Sequence, residues 1–336
     1  GEADHYENFH SSVEIGPGYH GFVFDLVRDE NGNFYFTTSG RKAPTIGEVI
    51  RVSPDGTTRT VVATRFRHPN GMGAGGPRDW LLVADNVDGK FPAGASVVRE
   101  GASYGFGGPR TVPFLFVLPP EVDTSSGSQC WADPQRWGPL SSSILHTSYS
   151  KSSLTYVVTQ MTDSHPNGFS VKFPYKFRSG VMRLEVSPRD GQPYVIGQRG
   201  WDTGAGQDGS LTRVRYTGKP AYVIQSATAS PQGIRLEFST KIDASSVAKR
   251  AVSARRVGAG QPVKLEVRDV RVAGDNAIVV DVEGNDPELV RDRKAEKKHK
   301  DSPRYKVIGP IELRIRLKAS DGTKIRETLY ATINGF

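Results

Sequence analysis

The chain has 336 residues, including 37 glycines and 22 prolines, and its 44 Lys and Arg outnumber its 36 Asp and Glu. This length suffices for two ordinary domains, and no run of about 18 apolar residues is present to form a membrane-spanning helix. The single cysteine, Cys130, excludes an internal disulfide framework, a CxxC metal or redox site and a covalent c-type haem on this chain.

Residues 1–218 consist of short apolar and aromatic runs separated by turn sequences such as Asp29-Glu30-Asn31-Gly32. The predicted strands lie at 22–27, 33–38, 47–52, 59–64, 80–85, 113–119, 142–149, 153–160, 168–174, 181–186 and 192–197. No ten-residue segment has the 3.6-residue period of a helix. A strand–turn–strand unit that recurs at roughly 40–50 residues predicts the blades of a β-propeller. A β-sandwich of long meanders is the alternative.

The pattern changes after residue 220. Strands predicted at 233–239, 263–272, 277–284, 311–320 and 327–333 alternate apolar and charged residues, which is typical of sheets with one wet face. These strands predict a small β-sandwich over 221–336. The segment 243–256 is the one predicted helix, capped by Asp243 or Ser245. The basic tract 291–304 is interpreted as a solvated loop, and a polyanion-binding patch is the alternative.

Four segments of the chain carry a family resemblance. They are YHGFVFDLVRDENGNFYFTT (19–38), FRHPNGMG with LLVADNVDG (66–73 and 81–89), SSGSQCWADPQRWGPLSSSILHTSYSKSSL (125–154) and DGQPYVIGQRGWDTGAGQDGSLTRVRYTGKP (190–220). Together they resemble the bacterial glucose/sorbosone dehydrogenase-like β-propellers, especially a planctomycete-type subgroup whose longer members are often fused to cytochrome c. GIRLEFSTKIDASSV (233–247) is similar to bacterial Ig-like domains.

The resemblance implies an all-β fold in two parts. Residues 1–220 are expected to form a partial or small propeller of four to five blades, and residues 221–336 an Ig-like β-sandwich. In relatives, earlier blades precede the segment that resembles the start of this chain. The propeller is therefore expected to be N-terminally incomplete, with further blades or another protein chain as its partner.

The resemblance also implies a site at the mouth of the central channel. Such relatives oxidise a sugar hydroxyl with a histidine base, pyrroloquinoline quinone and Ca²⁺. His20 matches the base, and Arg67 matches the arginine of the cofactor-binding motif, where His68 replaces the asparagine of relatives. Asp85 and Asn86 stand at the positions of calcium-associated loop residues. This chemistry requires a base within hydrogen-bond reach of the substrate, cations for an acidic cofactor and a Lewis acid.

Three further residues are candidates for substrate contact. His146 ends an alternating strand, and Arg199 and Trp201 lie in a glycine-rich segment that is typical of loops that grip sugar rings. If His20, His68 and His146 converged at the channel, they would bind Zn²⁺ or Cu²⁺; separate structural histidines are the alternative.

We therefore expect an exported protein, periplasmic or extracellular, that acts on a carbohydrate or another small molecule. One alternative is a non-catalytic propeller and Ig-like module that binds glycans or serves as a scaffold in a larger exported assembly. Another is a metal-dependent sugar lyase or hydrolase. The glycine-rich segment 71–77 lacks a following helix and an acidic partner, so it does not support nucleotide binding. No motif predicts nucleic-acid binding.

Overall fold

A computed structural model describes residues 3–13, 21–40, 46–86, 93–200, 203–258, 260–298 and 303–336. Within these ranges the regular structure consists of 24 strands and one α-helix of six residues. The prediction of an all-β protein is confirmed.

Two antiparallel sheets are formed by the first third of the chain. The first contains β1 (Val23–Arg28), β2 (Phe34–Thr38), β3 (Gly47–Val52) and β4 (Arg59–Phe66), extended by the short parallel strand β8 (Ala102–Ser103). The second contains β5 (Gly71–Gly75), β6 (Trp80–Asp85), β7 (Ala93–Val97) and β9 (Phe116–Leu118). In both sheets the four main strands follow one another in chain order, as in a propeller blade.

Two more blade-like sheets follow. The third begins with β10 (Ser126–Trp131), β11 (Ile144–Ser148), β12 (Ser153–Gln160) and β13 (Asn167–Lys172), and the fourth contains β14 (Gly180–Val186), β15 (Pro193–Gln198) and β16 (Gly209–Arg213). The first strands of successive sheets, β1, β5, β10 and β14, pack beside one another. The four sheets therefore radiate from a shared inner edge, which is the arrangement of a β-propeller.

Glycine allows these inner strands to approach closely. A Cβ atom on Gly71 of β5 would lie 1.7 Å from the carbonyl oxygen of Gly127 in β10. A Cβ on Gly127 would in turn lie 2.4 Å from the carbonyl oxygen of Met182 in β14. No side chain fits at these distances, so the glycine content of this region is a condition of the packing between sheets.

The C-terminal part adds two layers. One sheet contains β17 (Ile224–Ser230), β18 (Gly233–Phe238), β21 (Val267–Val272) and β22 (Ala277–Val282). The strands β19 (Val252–Arg256), β20 (Val263–Leu265), β23 (Ile311–Lys318) and β24 (Lys324–Thr332) form the other layer. Buried residues of both layers, such as Ile234, Ile278, Leu313 and Leu329, belong to one apolar cluster, as in a β-sandwich. Assignment of this sandwich to the Ig-like type stays a prediction.

The second layer is continuous with the third blade. Strand β24 pairs antiparallel with β13, so strands from both sides of residue 220 share one eight-stranded sheet. Side-chain bonds reinforce this junction: Val117 N donates to Thr332 Oγ1 at 3.0 Å, and Asn334 Nδ2 donates to Phe114 O at 2.7 Å and to Pro166 O at 2.8 Å. Because backbone pairing and buried bonds cross it, the junction is not a flexible linker.

Two local predictions are corrected by the structure. The segment 243–256 forms two 3₁₀ turns, Ala244–Ser246 and Lys249–Ala251, followed by β19, because the last residues pair with β23. The cap by Asp243 is confirmed, since its side chain accepts a hydrogen bond from Ser245 N.

The basic tract 291–304 is not wholly a loop. It contains helix α1 (Arg293–Lys298), whose Glu296 forms an ion pair of 2.9 Å with Arg291.

None of the described helices is long and apolar enough to traverse a bilayer.

Candidate functional site

One end of the propeller collects the connections between sheets. Because the strands of each sheet are antiparallel and in chain order, the segments linking β4 to β5, β9 to β10 and β13 to β14 lie at the same end. The C-terminal ends of β2, β6, β11 and β15 lie at that end too. We call this end the rim. Asn70 shows how its parts meet, because its side chain in the β4–β5 segment donates to Ser126 O of β10 at 3.1 Å.

An open cavity of about 510 Å³ lies between the inner strands β1, β5, β10 and β14. Its lining includes four charged residues, Asp25, Arg28, Arg183 and Glu185, and the polar residue Gln129. Leu26 and Ile196, which are both exposed, contribute apolar surface. This combination of a few polar groups with apolar walls is typical of small-molecule sites.

Asp25 is held in an unusual conformation at a bulge in β1. Its φ is 56°, a left-handed value, and the pairing with β2 shifts register between Phe24 and Val27. The bulge directs the carboxylate across the cavity, where Oδ2 accepts from Met72 N at 2.8 Å and Oδ1 lies 3.4 Å from Arg183 Nε. Arg183 Nη2 also donates to Asn70 Oδ1 at 3.4 Å. Strands β1, β5 and β14 and the rim therefore meet in one polar network.

The pKa values of the ionisable groups that line the cavity are shifted in different directions. Burial lowers the pKa of Arg183, although the Asp25 carboxylate opposes that shift. Partial burial raises the pKa of Glu185, and the negative charge of Asp25 adds to this shift. The residue nevertheless remains exposed to solvent. Burial raises the pKa of the Cys130 thiol well above its ordinary value, so this thiol stays protonated and unreactive at neutral pH.

The four candidates Arg67, His68, Asp85 and Asn86 form one cluster near the rim. Asp85 is buried, and its carboxylate accepts from Arg67 N at 3.1 Å and from His68 N at 2.8 Å. Arg67 Nη1 donates to Asn86 O at 3.0 Å, and Asn86 Oδ1 accepts from Ser126 N at 3.1 Å. Burial raises the pKa of Asp85. These contacts shape the segment between β4 and β5.

His146 is fully buried in the third blade. Its Nε2 lies 3.0 Å from Asp123 Oδ2, and its Nδ1 lies 3.1 Å from Nε2 of Gln129. Asp123 also accepts hydrogen bonds from the hydroxyls of Ser126 and Ser148. His146 is therefore linked to the cavity through Gln129, without lining the cavity itself.

The remaining three candidates, Arg199, His20 and Trp201, are not among the described residues that line the cavity. Arg199 is exposed on the β15–β16 hairpin and lies 3.9 Å from the exposed Asp208. It is absent from the described lining of the cavity. His20 and Trp201 lie outside the described residues.

Four residues of this network and cavity, Asp25, Asn70, Arg183 and Glu185, were not predicted from the sequence. A signal was present for three of them. Asp25 places a carboxylate within the apolar run FVFDLV, and Arg183 and Glu185 place two charges within VMRLEV. A charge inside a predicted inner strand marks a cavity-facing position when the strands converge. Asn70 carried no comparable signal, because asparagine after proline is an ordinary turn residue.

The donor set does not fit the expected Ca²⁺ at Asp85 and Asn86. Calcium takes six to eight oxygen ligands, whereas the side-chain oxygens of both residues accept backbone N–H groups. Across the described residues, no group of three or more His, Cys, Asp or Glu is placed to hold a metal ion.

The geometry defines an all-β protein with a polar cavity at the centre of propeller-like sheets. No protein-family model and no curated protein matches the chain. Among solved structures it is similar to a Thermus thermophilus protein described as a glucose dehydrogenase-type oxidoreductase, with 15% identity and a TM-score of 0.46 over 56% of this chain and 63% of that one. A further glucose dehydrogenase has 14% identity and a TM-score of 0.46 over 57% of this chain and 64% of that one.

The soluble aldose sugar dehydrogenase of Escherichia coli is a third such structure. It has 12% identity and a TM-score of 0.43 over 56% of this chain and 62% of that one. The matched part of each of these three proteins is therefore less than two thirds of its length.

Proposed function

We propose that this chain is a sugar dehydrogenase-like propeller that binds a carbohydrate in the cavity between its inner strands. The observation that supports this most directly is the Asp25–Arg183 pair, which offers a carboxylate acceptor and guanidinium donors within 3.4 Å of each other. Neighbouring hydroxyls of a sugar ring act as donor and acceptor at similar spacing. Charge-assisted hydrogen bonds to such a pair are stronger than bonds between neutral groups.

The surroundings of the pair suit a ring with one polar and one apolar face. Arg28 and Glu185 add charged groups, while Leu26 and Ile196 supply apolar contact. A cavity of about 510 Å³ lies within the range of small-ligand sites. The lining has two carboxylates, Asp25 and Glu185, and two guanidinium groups, Arg28 and Arg183, so its formal charges balance, which suits a neutral sugar.

The proposal extends to oxidation of the bound sugar. His20 is proposed as the general base that takes the proton of the reacting hydroxyl, and Arg67 as a contact to an acidic quinone cofactor. Export to the periplasm or the extracellular space belongs to the same proposal. So does a partner that completes the propeller, either further blades or another chain. These elements rest on the sequence resemblance.

Calorimetric titration with a panel of aldoses tests the binding step. We expect saturable binding by the wild-type chain and at least a tenfold weaker Kd for Arg183→Met, a loss of about 1.4 kcal/mol. Arg78→Met, a matched change at an exposed arginine outside the cavity lining, leaves the affinity unchanged. The proposal is contradicted if a folded chain binds no aldose, or if both variants lose affinity for the sugar equally.

Oxidation is tested by dye reduction after incubation with pyrroloquinoline quinone and Ca²⁺. Reduction that depends on sugar and disappears in His20→Ala supports a dehydrogenase. Binding without reduction instead favours a second candidate function, a non-catalytic glycan-binding module. One observation favours that second function: Asp85 and Asn86 bind backbone N–H groups instead of offering free ligands.

A further inference from the structure

A second cavity lies away from the rim, between the propeller and the C-terminal part. Its volume is about 220 Å³, far more than the roughly 15 Å³ that a single water requires. Residues from the long β7–β9 connection line one side, among them Gly105 and Arg110. Asp292, Arg304 and Tyr305 line the other side. The two sides are joined by a hydrogen bond from Tyr305 N to Arg110 O at 3.0 Å.

Arg110 is the unusual residue of this cavity. Its side chain is buried, with 5% of the residue exposed, and the guanidinium carbon lies 3.7 Å from the centre of the Phe114 ring. Nη1 donates to Val112 O at 3.1 Å and to Ser96 Oγ at 3.3 Å. Nε and Nη2 are buried, and neither has a hydrogen-bond partner among the described residues.

These two nitrogens form one edge of the guanidinium. Their N–H groups point in the same direction, in the fork that binds two oxygens of a carboxylate, phosphate or sulfate. Buried donors are almost always paired in native proteins, and a buried charge is paired with particular regularity. The structure therefore presents a bidentate oxyanion donor without its acceptor.

No nearby side chain among the described residues supplies the missing acceptor. Asp85 interacts with Arg110 through its charge, yet its oxygens accept from Arg67 N and His68 N. Asp292 Oδ1 accepts from Ala295 N at the start of α1. Burial accordingly lowers the pKa of Arg110 to about 10, which still leaves it fully charged at neutral pH.

The lining leaves a small space beside this buried edge and adds positive charge. A Cβ on Gly105, whose φ is +97°, would lie 3.6 Å from Arg110 Nε, so the glycine leaves space beside the edge. Arg304 also lines the cavity, and its Nε is buried and unpaired within the described part of the chain. Arg65 Nη1 lies behind the same loop, donating to Gly107 O at 2.9 Å. These cations outnumber the single lining carboxylate, Asp292.

We propose that this cavity is an oxyanion-binding site, in which the Nε–H and Nη2–H edge of Arg110 holds a carboxylate, phosphate or sulfate group, assisted by Arg304. The site is separate from the central cavity and does not depend on the proposed sugar function. A small bound anion would connect the β7–β9 segment to the C-terminal part and stabilise their contact.

Titration of the full 336-residue chain with phosphate, sulfate and D-gluconate tests the site, with chloride at matched ionic strength as the reference. We expect saturable binding of at least one oxyanion and a rise in Tm that chloride does not reproduce. Arg110→Lys keeps the charge but loses the fork, so it weakens the Kd at least tenfold; Arg110→Met abolishes binding. Arg183→Met, in the other cavity, leaves the affinity unchanged.

The choice among anions identifies the source of the oxyanion. Phosphate or sulfate binding without gluconate indicates an inorganic or phosphorylated ligand, and the reverse preference indicates a sugar acid; either result supports the site. If Arg110→Met does not fold, Arg304→Gln serves instead and is expected to weaken binding severalfold. Absence of saturable binding for all three anions overturns the proposal. So does a crystal grown in selenate that has only water at the Arg110 edge.

Discussion

The carboxylate of Asp25 lies 3.4 Å from the guanidinium of Arg183, across the cavity between the first and the fourth blade-like sheets. Met72 N, on the second sheet, donates to the other oxygen of the same carboxylate. One side chain thus connects three sheets. Its left-handed backbone is the local cost of that position, since a non-glycine residue with a φ of 56° is strained by about 1 kcal/mol.

Asp25→Ala is expected to lower the free energy of unfolding by about 1–3 kcal/mol, because Met72 N loses its acceptor and alanine tolerates the left-handed conformation poorly. Asp25→Asn keeps an acceptor oxygen and a residue suited to that conformation, so its cost is smaller. Urea denaturation of both variants measures the difference. Equal losses in the two would show that only the charge matters.

Gly71→Ala is expected to destabilise the propeller by at least about 3 kcal/mol, because the new methyl group would overlap the Gly127 carbonyl 1.7 Å away. The matched control is Gly206→Ala, where a Cβ meets no atom within 4 Å. The control should unfold at the wild-type urea midpoint. A Gly71→Ala variant with wild-type stability would contradict the close packing of β5 against β10.

His146→Leu is expected to cost about 2–4 kcal/mol, since it leaves the buried carboxylate of Asp123 without its histidine partner. His5→Leu, at an exposed position, is the control and should be within about 0.5 kcal/mol of wild type. Chemical denaturation gives both values. If His146→Leu weakened sugar binding while stability stayed unchanged, His146 would have a role in binding and not in the blade's core.

Glu327 predicts a pH dependence of stability. Burial raises the pKa of this β24 carboxyl from an ordinary 4.5 to about 7. The folded state therefore binds more protons than the unfolded state between these values, and the free energy of unfolding falls as the pH rises from about 4.5 to about 7. Glu327→Gln removes this loss, and we expect it to be about 1–3 kcal/mol more stable than wild type at pH 8 but not at pH 4. Denaturation across that range measures it, and a pH-independent difference would contradict the assignment.

Asn334→Ala tests the junction between the two parts. It removes the donor that reaches Phe114 O and Pro166 O, leaving buried acceptors unpaired, at a cost of about 2–4 kcal/mol.

Because β13 and β24 share a sheet, we expect wild type to unfold in a single calorimetric transition. Two separate transitions in wild type would show that the parts fold independently. Asn276→Ala, a matched change outside the junction, is the control and has the same number of transitions as wild type.

Much of the strand pattern was predictable from sequence, because most strands contain large apolar or β-branched residues, which indicate buried strands. This holds for β2, β3, β6 and β12, and for the alternating strands β18, β22, β23 and β24. Besides β8, β16 and β17, the strands β5, β7 and β10 were missed. Their sequences GMGAG, AGASV and SGSQCW consist largely of glycine, alanine and serine, residues that ordinarily indicate turns.

The amino-acid sequence by itself determined the class of the protein: turn spacing and apolar alternation specify short antiparallel strands, and these effects act between near neighbours. Tertiary structure alone decided where the candidate site lies. Asp25 and Arg183 are brought together by convergence of β1 and β14, and β24 joins β13 by pairing across the whole C-terminal part. Such contacts depend on the volume left between strands, which no local pattern encodes. The same holds for Arg110, whose unpaired edge exists only because two distant segments enclose it.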